Sequence, residues 1–282
     1  MYYQKTLTKS FSLSGVGLFT GAQVSMNVSG ASEGSGIVFK RLDIPDCAAI
    51  RANLDSVKAT PRCTIIGNTD ASVSTVEHLM AAFSALGINN AIVELDGPEV
   101  PIFDGSSEVF VNAILKVGIT TQNLTIEPIK LTHPIFYSSE GCHIVAVPSD
   151  KFSVSYTLRF PENYKIPTQF LSLELSQKTF LDDLASARTF SSYEEIAPLI
   201  EKGSVLGGSL SAAVVYKDGH VMNPDGLRYK DECVRHKVLD LVGDLALLER
   251  PLNAHILAIR SGHAANIALG RLINDFITLE CV

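Results

Sequence analysis

Apolar residues recur at helical spacing from Val76 onward, at Leu79, Met80, Phe83 and Leu86, and Gly87 then supplies a stop, so the pattern predicts a helix there. Upstream, to about Gly67, the chain reads as short strands and turns. Thr6 to Leu13 alternates, Gly15 and Gly17 make a Gly-x-Gly turn, and Val24 to Val28 and Ile37 to Phe39 are brief apolar runs. Downstream come a strand at Ala91 to Leu95, a turn through Pro98 and Pro101, and a second helix around Glu108 to Lys116. After Gly118 the order begins again, with a strand-rich stretch from Leu124 to Phe160, a helix near Phe180 to Arg188 and two strands around Ala212 to Val221. A strongly periodic helix at Asp231 to Leu248, an apolar strand at Ala254 to Ile259 and a terminal helix from His263 to Phe276 complete it. Each half runs from strands to helix to strand to helix without a residue-level repeat. The expectation is an α+β fold of two similar domains, 1–122 and 123–282, joined near residues 118 to 126.

Composition narrows the field. A length of 282 residues exceeds one typical domain, and 46% hydrophobic with 19% charged residues suits ordinary cores rather than disorder. The formal net charge is −7, and no run of Lys or Arg is long enough to track a phosphate backbone, so nucleic acid is not an expected partner. Met1 to Ser10 lacks the apolar centre of a signal peptide, and no stretch of ~18 apolar residues offers a spanning helix, which leads to the expectation of a soluble, cytoplasmic protein without a transmembrane segment. The five cysteines, Cys47, Cys63, Cys142, Cys233 and Cys281, form no C-x-x-C pair and read as reduced core or site-lining thiols.

Three segments can carry chemistry. Along the helix after Glu232, Val234, Val238, Leu241, Val242, Leu245 and Leu248 share one broad face, while His236, Asp240 and Asp244 fall on the opposite stripe. By itself that stripe reads as a solvated polar face; alternatively, a His and a carboxylate at i and i+4 share one metal ion, and Gly243 beside them leaves room for something to approach. The run Ser74, Thr75, Val76, Glu77 fits a capping box, which accounts for Glu77 without function. Glu77 and His78 also lie off the apolar face, and such a pair at a helix start can supply a base and a ligand. His263, in the turn Ser261 to Asn266 between strand and helix, is by itself more often a helix-start or packing residue than a catalyst. His255 lies inside its strand and carries no assignment. Taken together, two imidazoles and a carboxylate with an open position form the ligand set of a catalytic zinc site, beside which Glu77 and His263 are the acid and base that amide hydrolysis needs. Nothing in the spacing shows that these distant segments meet.

At these residues, and over nearly its whole length, the chain resembles UDP-3-O-acyl-N-acetylglucosamine deacetylase, the zinc amidase of lipid A synthesis. The resemblance is carried by Gly15 to Gly21 (GVGLFTG), Ser74 to Leu79 (STVEHL), Asp104 to Ser106 (DGS), Ala187 to Phe190 (ARTF), Leu206 to Ser209 (LGGS), Asn223 to Arg228 (NPDGLR), Val234 to Asp240 (VRHKVLD), Gly243 to Leu245 (GDL) and Ser261 to Asn266 (SGHAAN), in family order. The resemblance implies that His78, His236 and Asp240 bind Zn2+ and that Glu77 is the general base. It further implies that His263 protonates the leaving amine, with Asp244 orienting and charging it. Thr189 matches a hydroxyl that stabilises the oxyanion, and Lys237 a substrate contact. It also implies small sheets packed with helices, the active site between the helix layers, and an apolar insert near Ile196 to Asn223 whose Leu199, Val205 and Val214 line a passage for the 3-O-acyl chain, although from the residues alone they read equally well as an ordinary hairpin core. By the same resemblance, Phe190 is expected to pack near the sugar or nucleotide and Phe160 to stack on the uracil. The implied reaction removes the N-acetyl group of UDP-3-O-acyl-N-acetylglucosamine, releasing acetate and UDP-3-O-acyl-glucosamine, an early committed step of lipid A synthesis. The expected partner is that UDP-linked acylated amino sugar, and the expected state a monomer.

Three departures from the family pattern stand out. Phe19 replaces a common His in the GVGLFTG segment, and Ser191 and Ser192 follow Phe190 where Gly-Phe is usual. Two rival readings are an amidase of the same fold acting on another N-acyl amino sugar and a binding protein without turnover. The second leaves Glu77 and His263 together without a purpose.

Overall fold

The computed structural model describes residues 2–280. Cys281 therefore lies outside the described residues. Two five-stranded paths form the frame, and they have the same strand order. In the first, Phe11–Val16, Gln23–Gly30, Ala91–Leu95, Ile37–Arg41 and Ile50–Arg51 lie side by side. In the second, the order is Ile135–Ser139, Cys142–Pro148, Leu252–Ile259, Ser153–Leu158 and Gln169–Glu174, with the short strand Ile129–Lys130 also pairing to Leu252–Ile259. In each sheet the central strand comes last in sequence and pairs antiparallel on one side and parallel on the other. A parallel neighbour requires a crossover. Helix α1 (Glu77–Leu86) ends just before Ala91–Leu95, and helix α2 (Glu108–Val117) follows that strand. In the second half, after α3 (Gln177–Asp183) and α4 (Tyr193–Glu201), helix α5 (Glu232–Leu245) precedes Leu252–Ile259 and α6 (His263–Glu280) follows it. The fold is α+β, built of small sheets packed with helices.

The segment 118 to 126, expected as a joint, is itself a strand, Ile119–Ile126, paired antiparallel with Tyr2–Leu7. What reads as one alternating run from Thr6 is broken at Thr8 to Ser10, and a second strand begins at Phe11.

Burial explains the helices. Residues Glu77 to Phe83 of α1 and twelve of the fourteen residues of α5 are buried, so neither helix presents a solvated stripe. The reading of the His236, Asp240 and Asp244 stripe as a solvated face is thus overturned, because a helix covered on all sides must hold its polar residues inside the protein. The two helices meet at Gly243. A Cβ built there falls 2.0 Å from the Glu77 carbonyl oxygen, so only glycine permits α1 to lie this close. The approach anticipated at Gly243 is therefore that of a second helix.

Two helices depart from their sequence patterns. Helix α3 starts at a capping box of Ser176 and Thr179 and stops at Asp183, short of the expected Arg188. Helix α4 is not signalled by the pattern, because Pro198 lies inside it, and Ser192 caps it by accepting the Glu195 N–H. Among the described residues no helix is long and apolar enough to cross a membrane.

Candidate active site

The closure at Gly243 brings the first half of the site against the second. Nε2 of His78, on α1, lies 3.6 Å from Oδ1 of Asp240 on α5. Nε2 of His236, one turn back on α5, lies 3.2 Å from the same oxygen. The two imidazoles stand edge to face at 4.9 Å. His236 Nδ1 is 3.0 Å from the Ala187 carbonyl, which accepts its proton and leaves Nε2 as the free lone pair. Burial lowers the His78 pKa, against an opposing pull from Asp240, and so favours the neutral, ligating form.

Asp240 decides what this group is for. Its Oδ2 accepts from Nζ of Lys237 at 2.5 Å, but its buried Oδ1 has no hydrogen-bond donor. A buried polar atom left so costs roughly 1–3 kcal/mol, and a carboxylate more. A cation relieves that cost. Among the described residues His78, His236 and Asp240 form the one group of three whose ligand atoms, all within 4.8 Å of one another, can hold a metal ion. Two imidazole nitrogens and a carboxylate oxygen suit a divalent transition metal, and the donor set fits.

Glu77 lies alongside. The capping-box account of it fails: the α1 N-cap is Val76 without a side-chain bond, and the Ser74 hydroxyl donates instead to the Pro98 carbonyl. The helix start is set by Thr75, held at a φ of 58° by its hydroxyl bond to Glu99. Glu77 is left to face inward, its Oε2 accepting the Thr64 N–H at 3.0 Å and its Oε1 3.8 Å from Nε2 of His263. Burial pushes its pKa up to about 7, against the lowering charge of His263 and with help from Asp244 and Asp240. His263 opens α6 with Nδ1 2.8 Å from Oδ2 of Asp244. Burial lowers its pKa, but Asp244 and Glu77 outweigh burial and take it to about 9. Asp244 also accepts the Thr64 hydroxyl at 2.5 Å and the Asn266 amide at 2.9 Å.

Known proteins resemble the chain over nearly its whole length. The family model for UDP-3-O-acyl N-acetylglycosamine deacetylase matches residues 4–275. A curated relative from Chlamydia pneumoniae, a UDP-3-O-acyl-N-acetylglucosamine deacetylase, is 42% identical over 277 residues, covering 98% of each chain. Relatives of the same name from Chlamydia felis and Citrifermentans bemidjiense are 43% identical, over 96% of both chains and over 94% of this chain and 87% of the other, respectively. The chain belongs to this deacetylase family.

Beside the polar cluster opens a cavity of about 800 Å³, and it takes in much of what the deacetylase motifs name. Thr189, Lys237, Phe190, Phe160, Leu199 and Val205 all line it. Val214 does not. It is fully buried in the core, so the placement expected for Val214 does not hold, whereas Ala213 and Val215 on either side reach the cavity. Strand side chains alternate faces, and the sequence does not show which parity faces in. His255 bonds Ser155 on the second sheet at 2.9 Å and is not among the residues lining the cavity.

The three departures from the deacetylase pattern acquire definite places. Phe19 and Ser191 line the cavity, and Ser192 is the buried cap of α4. Among the cysteines, Cys142 lines the cavity while Cys63 and Cys233 are buried, and burial takes each of their thiols to about 12, too high for a nucleophile.

Sequence reasoning passed over several residues that build this site. Thr64 joins Glu77 to Asp244. Asn266, inside the quoted SGHAAN run, holds Asp244 and receives the Ser261 hydroxyl. Fully buried Glu99 takes two backbone N–H groups and the Thr20 hydroxyl and so fixes the turn carrying Phe19. A threonine after a cysteine and a glutamate in a proline-rich turn give no periodic signal.

Proposed function

We infer that the chain hydrolyses the N-acetyl group of UDP-3-O-acyl-N-acetylglucosamine, releasing acetate and UDP-3-O-acyl-glucosamine for lipid A synthesis. The observation that carries the reading is the donor-less Oδ1 of Asp240 between two imidazoles, with Glu77 and His263 within reach, in a chain of the deacetylase family. The metal we assign to His78, His236 and Asp240 is zinc, which would polarise the amide carbonyl and acidify water when bound.

The remaining work falls to the chain itself. Glu77, with a pKa of about 7, removes a proton from the attacking water, and its Thr64 bond keeps one oxygen occupied so that the other faces the reaction. His263, charged near neutral pH, hands a proton to the departing amine nitrogen, and Asp244 keeps Nδ1 protonated and the ring oriented. The Thr189 hydroxyl at the cavity wall is assigned to the oxyanion. Lys237 neutralises one oxygen of Asp240 and stands 5.9 Å over the Phe190 ring, beside the place we give the sugar. Phe160, edge-on to Phe190 at 5.6 Å, is the platform proposed for the uracil. Ile196, Leu199, Ile200 and Val205 form the wall proposed for the acyl chain. The direct test is acetate release from the UDP-linked substrate measured beside release from simpler N-acetyl sugars. Equal rates on all of them would leave an amidase of the same fold with a different substrate.

A further inference from the structure

Arg62 and Glu195 form an ion pair that the chemistry above does not use. Arg62 lies in the turn between the strands Val57–Ala59 and Ile65–Gly67, with a φ of 77°, a left-handed conformation that costs free energy in a residue with a side chain. Its Nη1 lies 2.7 Å from Oε1 of Glu195 in the first turn of α4. The other carboxylate oxygen of Glu195 accepts the Ser191 hydroxyl at 3.1 Å, so the carboxylate is held from two sides. Both residues line the large cavity. Immediately after Glu195, Ile196, Leu199 and Ile200 share a helical face and line the same cavity. Helix α4 has no buried residue, and among the described residues Arg62 to Glu195 is the one ion pair tying it to the first half of the chain. Two positions beyond Arg62, Thr64 bonds both Glu77 and Asp244. One short run of backbone thus grips the apolar wall at one end and the proton-transfer residues at the other.

We propose that Arg62 is a specificity-determining positioning residue: paired with Glu195, it clasps α4 over the apolar part of the cavity and fixes that wall relative to Glu77. The proposal rests on the acyl-chain reading of the cavity. Ser191 and Ser192, where this chain departs from the family pattern, belong to the same device, since one holds the Glu195 carboxylate and the other caps its helix. Without the clasp the wall loosens, and substrates with long acyl chains lose more than substrates with short ones.

The test combines two readouts on R62Q, E195Q and the double variant R62Q/E195Q. In the first, kcat and KM are measured on UDP-linked substrates of short and long acyl length. The ratio of long-chain to short-chain kcat/KM should fall roughly two- to fivefold in each single variant, the scale of a partly exposed ion pair. The double variant should be no worse than the more affected single one. R62K should retain most of the ratio. In the second, hydrogen exchange of residues 193–201 should quicken in both single variants, a readout that needs no turnover. An unchanged ratio, additive losses in the double variant, or unchanged exchange in α4 would overturn the clasp. If the unmodified protein released no acetate at all, the functional reading would fall, and the exchange measurement would still decide the clasp.

Discussion

Glu77 and His263 face each other at 3.8 Å with opposite demands on a proton. The base must be ionised and the acid protonated, so kcat/KM should rise with pH through Glu77 and fall through His263, giving a bell whose limbs lie no higher than about 7 and about 9. Bound dication charge lowers both limbs. Asp244→Asn removes the charge that raises His263, so the alkaline limb should move to lower pH while the acid limb moves less; a stationary alkaline limb would mean that His263 does not set it. Glu77→Gln should cost roughly 10² to 10⁴ in rate with the metal still bound, the usual range for a general base. Loss of metal in that variant would place Glu77 among the ligands. These residues were legible as types, yet two readings went astray at this scale. Glu77 satisfies a capping motif and does not cap, because Thr75 is held in a left-handed turn by a glutamate 24 positions on. Val214 and Val215 differ by one position in a strand, and chain chemistry alone does not choose which of them faces the core and which the cavity.

Gly243 shows what an element contributes. Its missing side chain admits the backbone of α1, and the contact sets Glu77 and His78 against His236 and Asp240. Gly243→Ala should therefore force the helices apart, costing roughly 1–3 kcal/mol in urea unfolding and weakening metal binding at the same time. A variant that lost stability but bound metal as tightly as before would separate the two effects and contradict this role for the contact. The periodic helices were legible because their apolar positions are long and regular, and Gly87 and Glu108 marked real boundaries. Helix α4 was not, because it is short and carries Pro198, which argues against a helix interior. Helix α3 was read as too long because its last apolar residues serve the following loop rather than the helix.

Across the whole molecule, the two sheets repeat one strand order, and each central strand is entered through the helix that carries site residues. The sequence showed the repeated order of elements but not that Tyr2–Leu7 pairs with Ile119–Ile126, or that α1 and α5 touch; strand partners far apart in the chain leave no local periodicity to read. The cavity belongs to this scale too, since its wall comes from both halves. Each methylene that it buries is worth up to ~0.8 kcal/mol, so shortening the acyl group should lower kcat/KM stepwise. Val205→Phe and Val215→Phe should penalise the longest chains most, whereas Val214→Phe should damage the core and lower activity on every substrate alike. An equal loss across chain lengths in the first two variants would show that no acyl chain passes there. The central claim is that one zinc ion at His78, His236 and Asp240 is what makes this arrangement an amidase. It is tested most directly by adding zinc back to the chelated protein while following acetate release from UDP-3-O-acyl-N-acetylglucosamine, with Asp240→Asn treated in parallel. Release should rise linearly and level off at one equivalent in the unmodified protein and stay near zero in the variant. Release that needs no metal, or that returns equally in both proteins, would contradict it.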